Sequence, residues 1–277
     1  MERLPLIDEK GRVLENTWLA DGLYLMKLHA PGLVGRIMPG QFVHAKLPGM
    51  EGHILRRPFS VYDLAVDEGS LELLYQAVGF GTAHMAGLGA GQVLELIGPC
   101  GNTWCDTLDF EVQRALLVAG GVGAAPLFLL ARRLIAKRAF VHVVMGAQSA
   151  DALVCHRRYG ALIQKRFGQR ALSLSLTTDD GSFGHKGFTT DLVQDLLAGE
   201  GAPERPFDYV ASCGPEPMMR KVASLALAAG VPCELSLERR MACGVGACLS
   251  CVVETLEGPK RACVDGPIFN TAKLVFP

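Results

Sequence analysis

The sequence carries almost no net charge, and it has no uninterrupted apolar run of membrane-spanning length. Lysines and arginines number 27 against 28 aspartates and glutamates, so the formal net charge is −1. Bulk electrostatics therefore favours neither nucleic acid nor an anionic membrane as a partner. One uncharged stretch, 115–131, falls just short of the roughly 18 residues that indicate a span. Glycines and Pro126 interrupt it, which is typical of a strand, a glycine turn and a helix.

The sequence also lacks a recognisable secretory signal, internal repeats and low-complexity segments. Its first residues, MERLPLIDEKGRV, mix charges through the first turn. We therefore expect a cytoplasmic protein, in which cysteines are thiols or ligands rather than disulfides. The count of nine cysteines is odd, which fits a disulfide framework poorly.

Residues 1–110 alternate short β-rich runs with turn signals. The runs are RVLENTWLADGLYLMKLHA, GQFVHAKLP, RPFSVYDLAV, SLELLYQAVG and GQVLELIGP. Strands of this length and spacing predict an antiparallel barrel or sandwich.

Residues 111–234 have a different rhythm, in which buried strands alternate with amphipathic helices. Strands are predicted at RALLVAG, AFVHVVMGAQ, ALSLSLTTDD and DYVASCG, with helices around APLFLLARRLIAKR, RRYGALIQKRFG, TTDLVQDLLAGE and EPMMRKVASLALAAG. This alternation predicts a parallel sheet with right-handed crossovers. The pattern stops near Leu235, so residues 235–277 are predicted to be a third, cysteine-rich domain.

Four cysteines of this last segment have the spacing of metal ligands. Cys243, Cys248 and Cys251 follow the pattern C-x4-C-x2-C, and Cys263 comes twelve positions later. This is the ligand spacing of plant-type [2Fe–2S] centres, whereas structural zinc usually takes ligands in closely spaced pairs. Small residues between the thiols let backbone N–H groups approach cluster sulfurs; they are Gly244, Gly246 and Ala247. Zinc and a chance group of buried cysteines remain the alternatives.

Two glycine-containing turns predict a dinucleotide site in the α/β part. Gly120, Gly121 and Gly123 stand between a strand and a helix, where close backbone approach and helix N–H groups suit a pyrophosphate. The stretch departs from G-x-G-x-x-G, and a purely structural turn is the alternative. The second turn, formed by Cys213, Gly214 and Pro215, ends a later strand at the same sheet edge. Gln148 and Asp151 after the second strand favour NAD over NADP. The basic residues that follow, 156–158, are interpreted as a solvated charge run rather than as a site for a 2′-phosphate.

A flavin site is predicted in the β-rich part, at LRRPFSVYD. Arginine can bind a pyrophosphate bidentately, an aromatic ring can pack on a ring system, and a hydroxyl can meet a ring nitrogen. A strand with two exposed arginines is the alternative. Gly79, Gly81 and Thr82 add a turn whose N–H groups and hydroxyl suit phosphate.

Together these motifs resemble one family over nearly the whole chain. RPFS resembles the flavin motif of the ferredoxin–NAD(P)H reductase superfamily, and GGVGAAPL and CGPEPMM resemble its pyridine-nucleotide motifs. The tail SLERRMACGVGACLSCVVET…KRACVDGPIF resembles that of the electron-transfer subunits of class 1B dihydroorotate dehydrogenases.

The resemblance implies an FAD-binding β-barrel, an NAD-binding domain and a C-terminal [2Fe–2S] domain. It assigns the flavin to Arg57, Pro58, Phe59 and Ser60, the flavin edge to Leu74, Tyr75 and Gln76, and the pyrophosphate to Gly81 and Thr82. Phe59 stands where the superfamily usually has tyrosine, so packing remains but a hydroxyl is missing. No side chain is expected to act as a catalytic acid or base, because the chemistry is carried by the redox cofactors.

The resemblance also implies a partner, an FMN-containing catalytic subunit that oxidises dihydroorotate, in a heterotetramer that serves pyrimidine biosynthesis. Nicotinamide exchanges two electrons at once and an iron–sulfur cluster one, so flavin is the necessary intermediary. A reductase subunit serving ferredoxin or hydrogenase and a zinc-binding interaction module are the alternatives. The apolar tail residues Leu274, Val275 and Phe276 are expected to form part of a docking face beside the cluster. A tail that folds back onto the chain's own barrel is the alternative.

Overall fold

The computed structural model describes residues 5–20, 22–106, 108–163, 171–199 and 206–275. The chain forms two compact units. One comprises Met1–Asp106 with Leu237–Ile268, and the other Thr107–Ser236 with Phe269–Pro277. Most of the cysteine-rich segment thus belongs to the same unit as the β-rich N-terminal part. The division into domains at residues 110 and 234 stays a prediction.

The first unit contains a closed antiparallel barrel of six strands, with the order β1-β2-β5-β4-β3-β6. The strands are β1 (Ile7–Ala20), β2 (Leu23–His29), β3 (Phe42–Lys46), β4 (Arg57–Ala65), β5 (Ser70–Gln76) and β6 (Val93–Cys100). The first β-rich run of the sequence forms two of them, paired antiparallel around Gly22, whose φ is +75°. Apolar residues from several strands fill the barrel core; they include Met26, Leu28, Leu71, Leu73, Leu94 and Leu96.

Two short helices accompany the barrel, α1 (Pro31–Val34) and α2 (Phe80–Ala86). The second differs from the turn expected at residues 79–82. The Thr82 hydroxyl accepts hydrogen bonds from the backbone N–H groups of Val78 (3.0 Å) and Gly79 (3.1 Å). These bonds satisfy donors at the helix start and explain why a glycine-rich stretch continues as a helix.

The second unit is a parallel sheet with helical crossovers. Its elements are β7 (Arg114–Gly120), α3 (Ala124–Ala136), β8 (Phe140–Ala147), α4 (His156–Ile163), β9 (Leu172–Thr178), β10 (His185–Lys186), α5 (Thr189–Ala198), β11 (Tyr209–Cys213), α6 (Glu216–Ala228) and β12 (Cys233–Ser236). The strand order β10-β9-β8-β7-β11-β12 places β7 and β11, which carry the two glycine-containing turns, side by side. The predicted helix around 157–168 begins as α4, and its residues from 164 onward lie outside the described ones.

The uncharged stretch 115–131 forms most of β7, a 3-10 turn and the first half of α3, as its glycines and Pro126 indicated. In the part of the chain that the structure describes, no helix combines the length and apolar character needed to cross a membrane.

The cysteine-rich segment contains a small hairpin, β13 (Val252–Val253) and β14 (Lys260–Arg261), followed by β15 (Ile268–Asn270), which extends the parallel sheet beyond β12. The apolar tail differs from the expected docking face. Leu274 is buried, whereas Val275 is exposed and Phe276 lies outside the described residues. Burial of Leu274 leaves it unavailable to a partner.

Candidate cofactor sites

The hairpin β13–β14 brings two of the four predicted cluster ligands together. Cys251 directly precedes β13 and Cys263 follows β14, and the Ala262 N–H donates to the Cys251 carbonyl (3.0 Å). Both thiols are buried. Burial raises the pKa of Cys263 to about 12, and the neighbouring Cys251 thiol adds to the shift. The eleven residues between Cys251 and Cys263 thus form one hairpin.

The other two cysteines meet in the loop before the hairpin. The Cys248 N–H donates to the Cys243 Sγ (3.4 Å), and the Cys248 Sγ lies 3.2 Å from the Ser250 Oγ. Hydrogen bonds from the Ser250 hydroxyl and backbone N–H and from Cys243 lower the pKa of the exposed Cys248 thiol to about 6. This loop therefore favours a thiolate at its solvent-facing end.

The four cysteines contact one another in two pairs, and Cys243 of one pair also acts on the Cys263 thiol of the other. Among the described residues, no cluster of three or more histidine, cysteine, aspartate or glutamate side chains is already arranged to hold a single metal ion. Two thiol pairs, with a backbone N–H directed at a sulfur, do suit a centre that contains two irons and four cysteine ligands. The donor set therefore fits a [2Fe–2S] cluster better than a single zinc ion.

The cysteine-rich segment is bound to the barrel by Asn102, a residue that the sequence motifs did not indicate. The Asn102 Nδ2 donates to the carbonyls of Asp265 (3.2 Å) and Ile268 (2.8 Å), and the Ile268 N–H donates to the Asn102 Oδ1 (3.0 Å). The Asn102 N–H donates to the Gly266 carbonyl (2.6 Å). These bonds hold the chain after Cys263 against the end of β6.

His44 makes a second contact between the barrel and the cysteine loop, and it was also missed by sequence reasoning. It is fully buried, and a Cβ added to Gly244 would overlap its imidazole. Burial lowers the pKa of His44 to about 4, and the Arg56 guanidinium adds to this shift, while the Cys243 carbonyl opposes it. The imidazole is therefore neutral at pH 7.

The predicted flavin residues meet on neighbouring elements of the barrel. A Cβ added to Gly81 at the start of α2 would overlap the Arg57 guanidinium of β4, so these two residues lie in direct contact. The Phe59 ring packs edge-on against Tyr75, with centroids 5.9 Å apart, and the Tyr75 hydroxyl donates to the Asn16 Oδ1 (2.9 Å). Burial raises the pKa of Tyr75 to about 12.

The residues assigned to the flavin differ in their exposure to solvent. Pro58, Ser60 and Thr82 are partly exposed and Gln76 is exposed, whereas Leu74 is buried. The Thr82 hydroxyl is engaged in its own helix start. Large apolar side chains flank Arg57 and Gly81 on the surface; they are Ile54, Leu55, Val78 and Phe80. Phe80 stacks on His53 at 4.6 Å. A cationic and apolar surface of this kind suits a ligand with both phosphate and ring groups.

The two predicted nucleotide turns pack against each other within the second unit. Cys213 on β11 pairs with Ala119 on β7. A Cβ at Gly123 would overlap the Cys213 carbonyl, and one at Gly120 would overlap Pro215, so these glycines are needed for turn-to-turn packing. Gly121, in contrast, has open space around it. The Cys213 side chain is buried, so only its backbone is positioned at the strand end.

A third loop at this sheet edge was not singled out from the sequence. After β9, Asp180 accepts hydrogen bonds from the Ser182 N–H (2.9 Å) and hydroxyl (2.6 Å), and the Ala150 N–H donates to the Ser182 Oγ (2.8 Å). Ser182 thereby ties the loop after β9 to the loop after β8. The glycine- and aspartate-rich stretch DDGSFG was the available signal.

Three family models match the chain in sequence. They describe an oxidoreductase FAD-binding domain at residues 9–104, an oxidoreductase NAD-binding domain at 117–224, and the iron–sulfur cluster binding domain of dihydroorotate dehydrogenase B at 238–275. The first and third matches cover the barrel and the four-cysteine segment, and the second covers the parallel sheet from β7 into α6.

Relatives match over nearly the full length. The dihydroorotate dehydrogenase B (NAD(+)) electron transfer subunit of Desulforamulus reducens is 34% identical, covering 96% of this chain and 97% of the relative. That of Clostridium acetobutylicum is 36% identical over 96% of each chain. The chain belongs to the dihydroorotate dehydrogenase B electron-transfer subunit family. The resemblance of its motifs is thus confirmed.

Solved structures agree with the fold of this family. An NADH-dependent reduced ferredoxin-NADP oxidoreductase, described in work on flavin-based electron bifurcation, superposes with a TM-score of 0.80 and 30% identity, covering 96% of this chain and 89% of that one. A ferredoxin NADP+ reductase from Neisseria gonorrhoeae shares the fold, with a TM-score of 0.66 over 81% of this chain and 92% of that one, at 18% identity. The predicted barrel, parallel sheet and small iron–sulfur domain are confirmed as the fold class, and FAD, NAD and an iron–sulfur cluster are confirmed as the cofactors of its domains.

Proposed function

We propose that this chain carries electrons between an FMN-containing dihydroorotate dehydrogenase catalytic subunit and NAD, with FAD and a [2Fe–2S] cluster as resident cofactors. The observation that carries the proposal is the four-cysteine segment, which lies in the same unit as the flavin motif and includes an exposed cysteine, Cys248. Family membership supports the identity of the partner. We further propose a heterotetramer in the cytoplasm, where the nine cysteines act as thiols or ligands.

Each cofactor would be held by residues already brought together. Arg57, Phe59 and Gly81 would hold FAD, Gly121 and the backbone of Gly214 would approach NAD, and Cys243, Cys248, Cys251 and Cys263 would bind the cluster. When bound, nicotinamide supplies hydride chemistry, the cluster supplies one-electron chemistry, and flavin is competent in both. The side chains themselves bind and orient, and none is required as a general acid or base.

The surface around Cys248 supports transfer to a protein partner. Val245 and Leu249, which lie in the same loop as Cys248, are 44% and 61% exposed. Large apolar side chains on a surface are typical of an interaction site when they cluster. We propose that the catalytic subunit docks over this loop rather than over the tail, because Leu274 is buried.

The proposal is tested by mixing the chain with an FMN-dependent dihydroorotate dehydrogenase catalytic subunit. Dihydroorotate should reduce NAD only when both proteins are present. Cys248→Ser should abolish this coupled reaction while NADH still reduces the bound FAD, because hydride exchange needs no cluster. Cys233→Ser, which changes a buried thiol outside the cysteine loop, should retain the coupled rate. Coupled activity of the isolated chain, or of Cys248→Ser in the mixture, would contradict the proposal.

A second candidate, a reductase subunit that serves ferredoxin, is favoured by the likeness to the NADH-dependent reduced ferredoxin-NADP oxidoreductase. The same preparation separates the two. Under the dihydroorotate proposal, NADH-dependent reduction of ferredoxin is slow relative to NAD reduction by dihydroorotate in the complex. Reduction of ferredoxin by NADH that is faster than reduction of NAD by dihydroorotate would favour the ferredoxin-linked function.

A further inference from the structure

His44 occupies a position on the barrel where it touches both cofactor regions. On β3 it pairs with Pro58 of the predicted flavin motif on β4, and its side chain packs against Gly244 of the cysteine loop. Phe42, Val43 and Ala45 on the same strand are all buried and apolar. The polar imidazole of His44 thus lies among buried apolar side chains of its own strand, and packing of the barrel core does not explain why a histidine stands there.

Neither ring nitrogen of His44 makes a hydrogen bond of normal geometry within the described residues. His142, the other deeply buried histidine of the described chain, shows the usual arrangement. Its Nδ1 lies 2.7 Å from the Ser173 hydroxyl, and its Nε2 lies 3.0 Å from the Ser175 hydroxyl. A buried N–H donor without a hydrogen-bond partner destabilises the folded state. We therefore expect a nearby group to accept a hydrogen bond from such a donor.

The backbone of the cysteine loop lies against the His44 ring at Gly244. The ring lies where a side chain at residue 244 would be, and the Cys243 carbonyl is close enough to affect the imidazole. A neutral imidazole has one N–H to donate. Donation to the Cys243 carbonyl would fix the peptide that follows this ligand, at a glycine whose φ of +70° leaves the backbone otherwise free to rotate.

We propose that His44 is a positioning residue for the iron–sulfur centre, holding the Cys243–Gly244 backbone so that the N–H groups of the loop stay directed at the sulfurs. The inference rests on the proposed cofactor content. Reduction adds a negative charge, and N–H groups directed at the sulfurs stabilise the reduced form. Loss of the His44 anchor should therefore make the reduction potential of the cluster more negative.

The test compares three variants of the full chain, purified anaerobically and loaded with cluster. His44→Leu removes the donor at similar volume, His44→Gln retains an N–H, and His142→Leu removes a buried histidine from the second unit. Iron per chain is measured first, and the cluster potential is then found by redox titration monitored by electron paramagnetic resonance. At a fixed potential near the wild-type midpoint, we expect about a tenfold lower ratio of reduced to oxidised cluster in His44→Leu. This corresponds to about 59 mV for a one-electron couple.

His44→Gln should lie between His44→Leu and wild type, and His142→Leu should match wild type. Loss of iron from His44→Leu but not from His44→Gln would also support the role of the donor. Equal loss of iron from both, or an unchanged potential in loaded His44→Leu, would overturn it. A wild-type chain without iron would instead contradict the cofactor assignment, and with it any role of His44 in holding the cluster.

Discussion

Arg56 and Arg57 are adjacent in the sequence but have different surroundings. The Arg56 guanidinium donates to the Glu95 carbonyl (2.7 Å) and forms ion pairs with the Glu95 and Asp8 carboxylates. Arg57 donates to the Leu55 carbonyl (2.9 Å) and otherwise lies over Gly81 at the start of α2. The structure thus ties Arg56 to carboxylates of the barrel, whereas Arg57 lies against the predicted pyrophosphate turn.

Arg57→Ala should weaken FAD binding. A charge-assisted hydrogen bond to pyrophosphate contributes about 1.5–3 kcal/mol, so the FAD dissociation constant should rise roughly ten- to a hundredfold. Flavin fluorescence during dilution or titration of the apoprotein measures this. Arg56→Ala is the matched control and should bind FAD nearly as wild type does. Equal retention of FAD by Arg57→Ala and wild type would show that Arg57 is only a surface charge.

The surroundings of individual cysteines also differ, and this changes the pKa of each thiol. Burial raises the pKa of Cys233 to about 12, whereas the hydrogen bonds around Cys248 lower its pKa to about 6. A metal ligand must be deprotonated, so the environment of Cys248 favours the binding of iron. Cys233 lies outside the four-cysteine segment. Cys248→Ser should therefore lose iron and the visible absorption bands of a [2Fe–2S] centre, whereas Cys233→Ser keeps both. Iron analysis showing equal content in the two variants would refute the ligand assignment.

Single residues divide into those with a local sequence signal and those without one. The four cysteines and the two glycine-containing turns are recognisable because each motif lies within a few positions of the chain. His44 and Asn102 are not, because their partners are distant: Asn102 bonds to Ile268, 166 residues later. Neither position has a neighbouring residue that would distinguish it from an ordinary strand histidine or loop asparagine.

At the scale of elements, His142 joins β8 to β9 through its two serine partners, and its burial has a consequence for pH. Burial lowers the pKa of His142 to about 4 from an ordinary value of 6.5. Between pH 4 and pH 6.5 the His142 imidazole is therefore neutral in the folded protein, whereas in the unfolded protein it takes up a proton. Stability is present in full above about pH 6.5 and falls as the pH drops towards 4, by up to about 3 kcal/mol.

His142→Gln retains hydrogen-bonding groups for both serines without a titrating ring. Urea unfolding between pH 7 and pH 4.5 should show a smaller loss of unfolding free energy in this variant than in wild type. Parallel curves for the two proteins would contradict the assigned shift.

Asn102 joins the end of β6 to the chain that leads into β15. Asn102→Ala breaks three side-chain hydrogen bonds and leaves buried backbone groups without partners, so it should destabilise the first unit by about 2–4 kcal/mol. Asn102→Asp keeps an acceptor for the Ile268 N–H and should fall between the alanine variant and wild type. Thermal unfolding of the loaded chain measures both. A melting temperature of Asn102→Ala equal to that of wild type would show that the segment is held by other contacts.

Most elements could be predicted because their apolar periodicity is strong. The buried run RALLVAG forms β7 with the predicted bounds, and the charged face of α3 indicated a helix. α2 was not predicted, because its seven residues are too few for a helical apolar pattern and its glycines indicate a turn. The hairpin β13–β14 was missed for a similar reason, since each strand has only two residues.

At the scale of the whole molecule, the sequence order of motifs does not show which parts pack together. The cysteine-rich segment follows the nucleotide-binding part in the sequence, yet most of it belongs to the barrel unit, and the chain returns to the second unit from Phe269 onward. Contacts such as those of Asn102 and His44 decide this arrangement. They place the four thiols in the unit that carries the flavin motif.

The central claim is that one chain joins a two-electron carrier to a one-electron carrier. Anaerobic reductive titration of the purified chain, with flavin and iron quantified, tests it most directly. One FAD and one [2Fe–2S] cluster together should take up about three electrons per chain, with bleaching of flavin absorption and a paramagnetic signal of the reduced cluster. Uptake of about two electrons by a chain that contains flavin and zinc but no iron would contradict the claim.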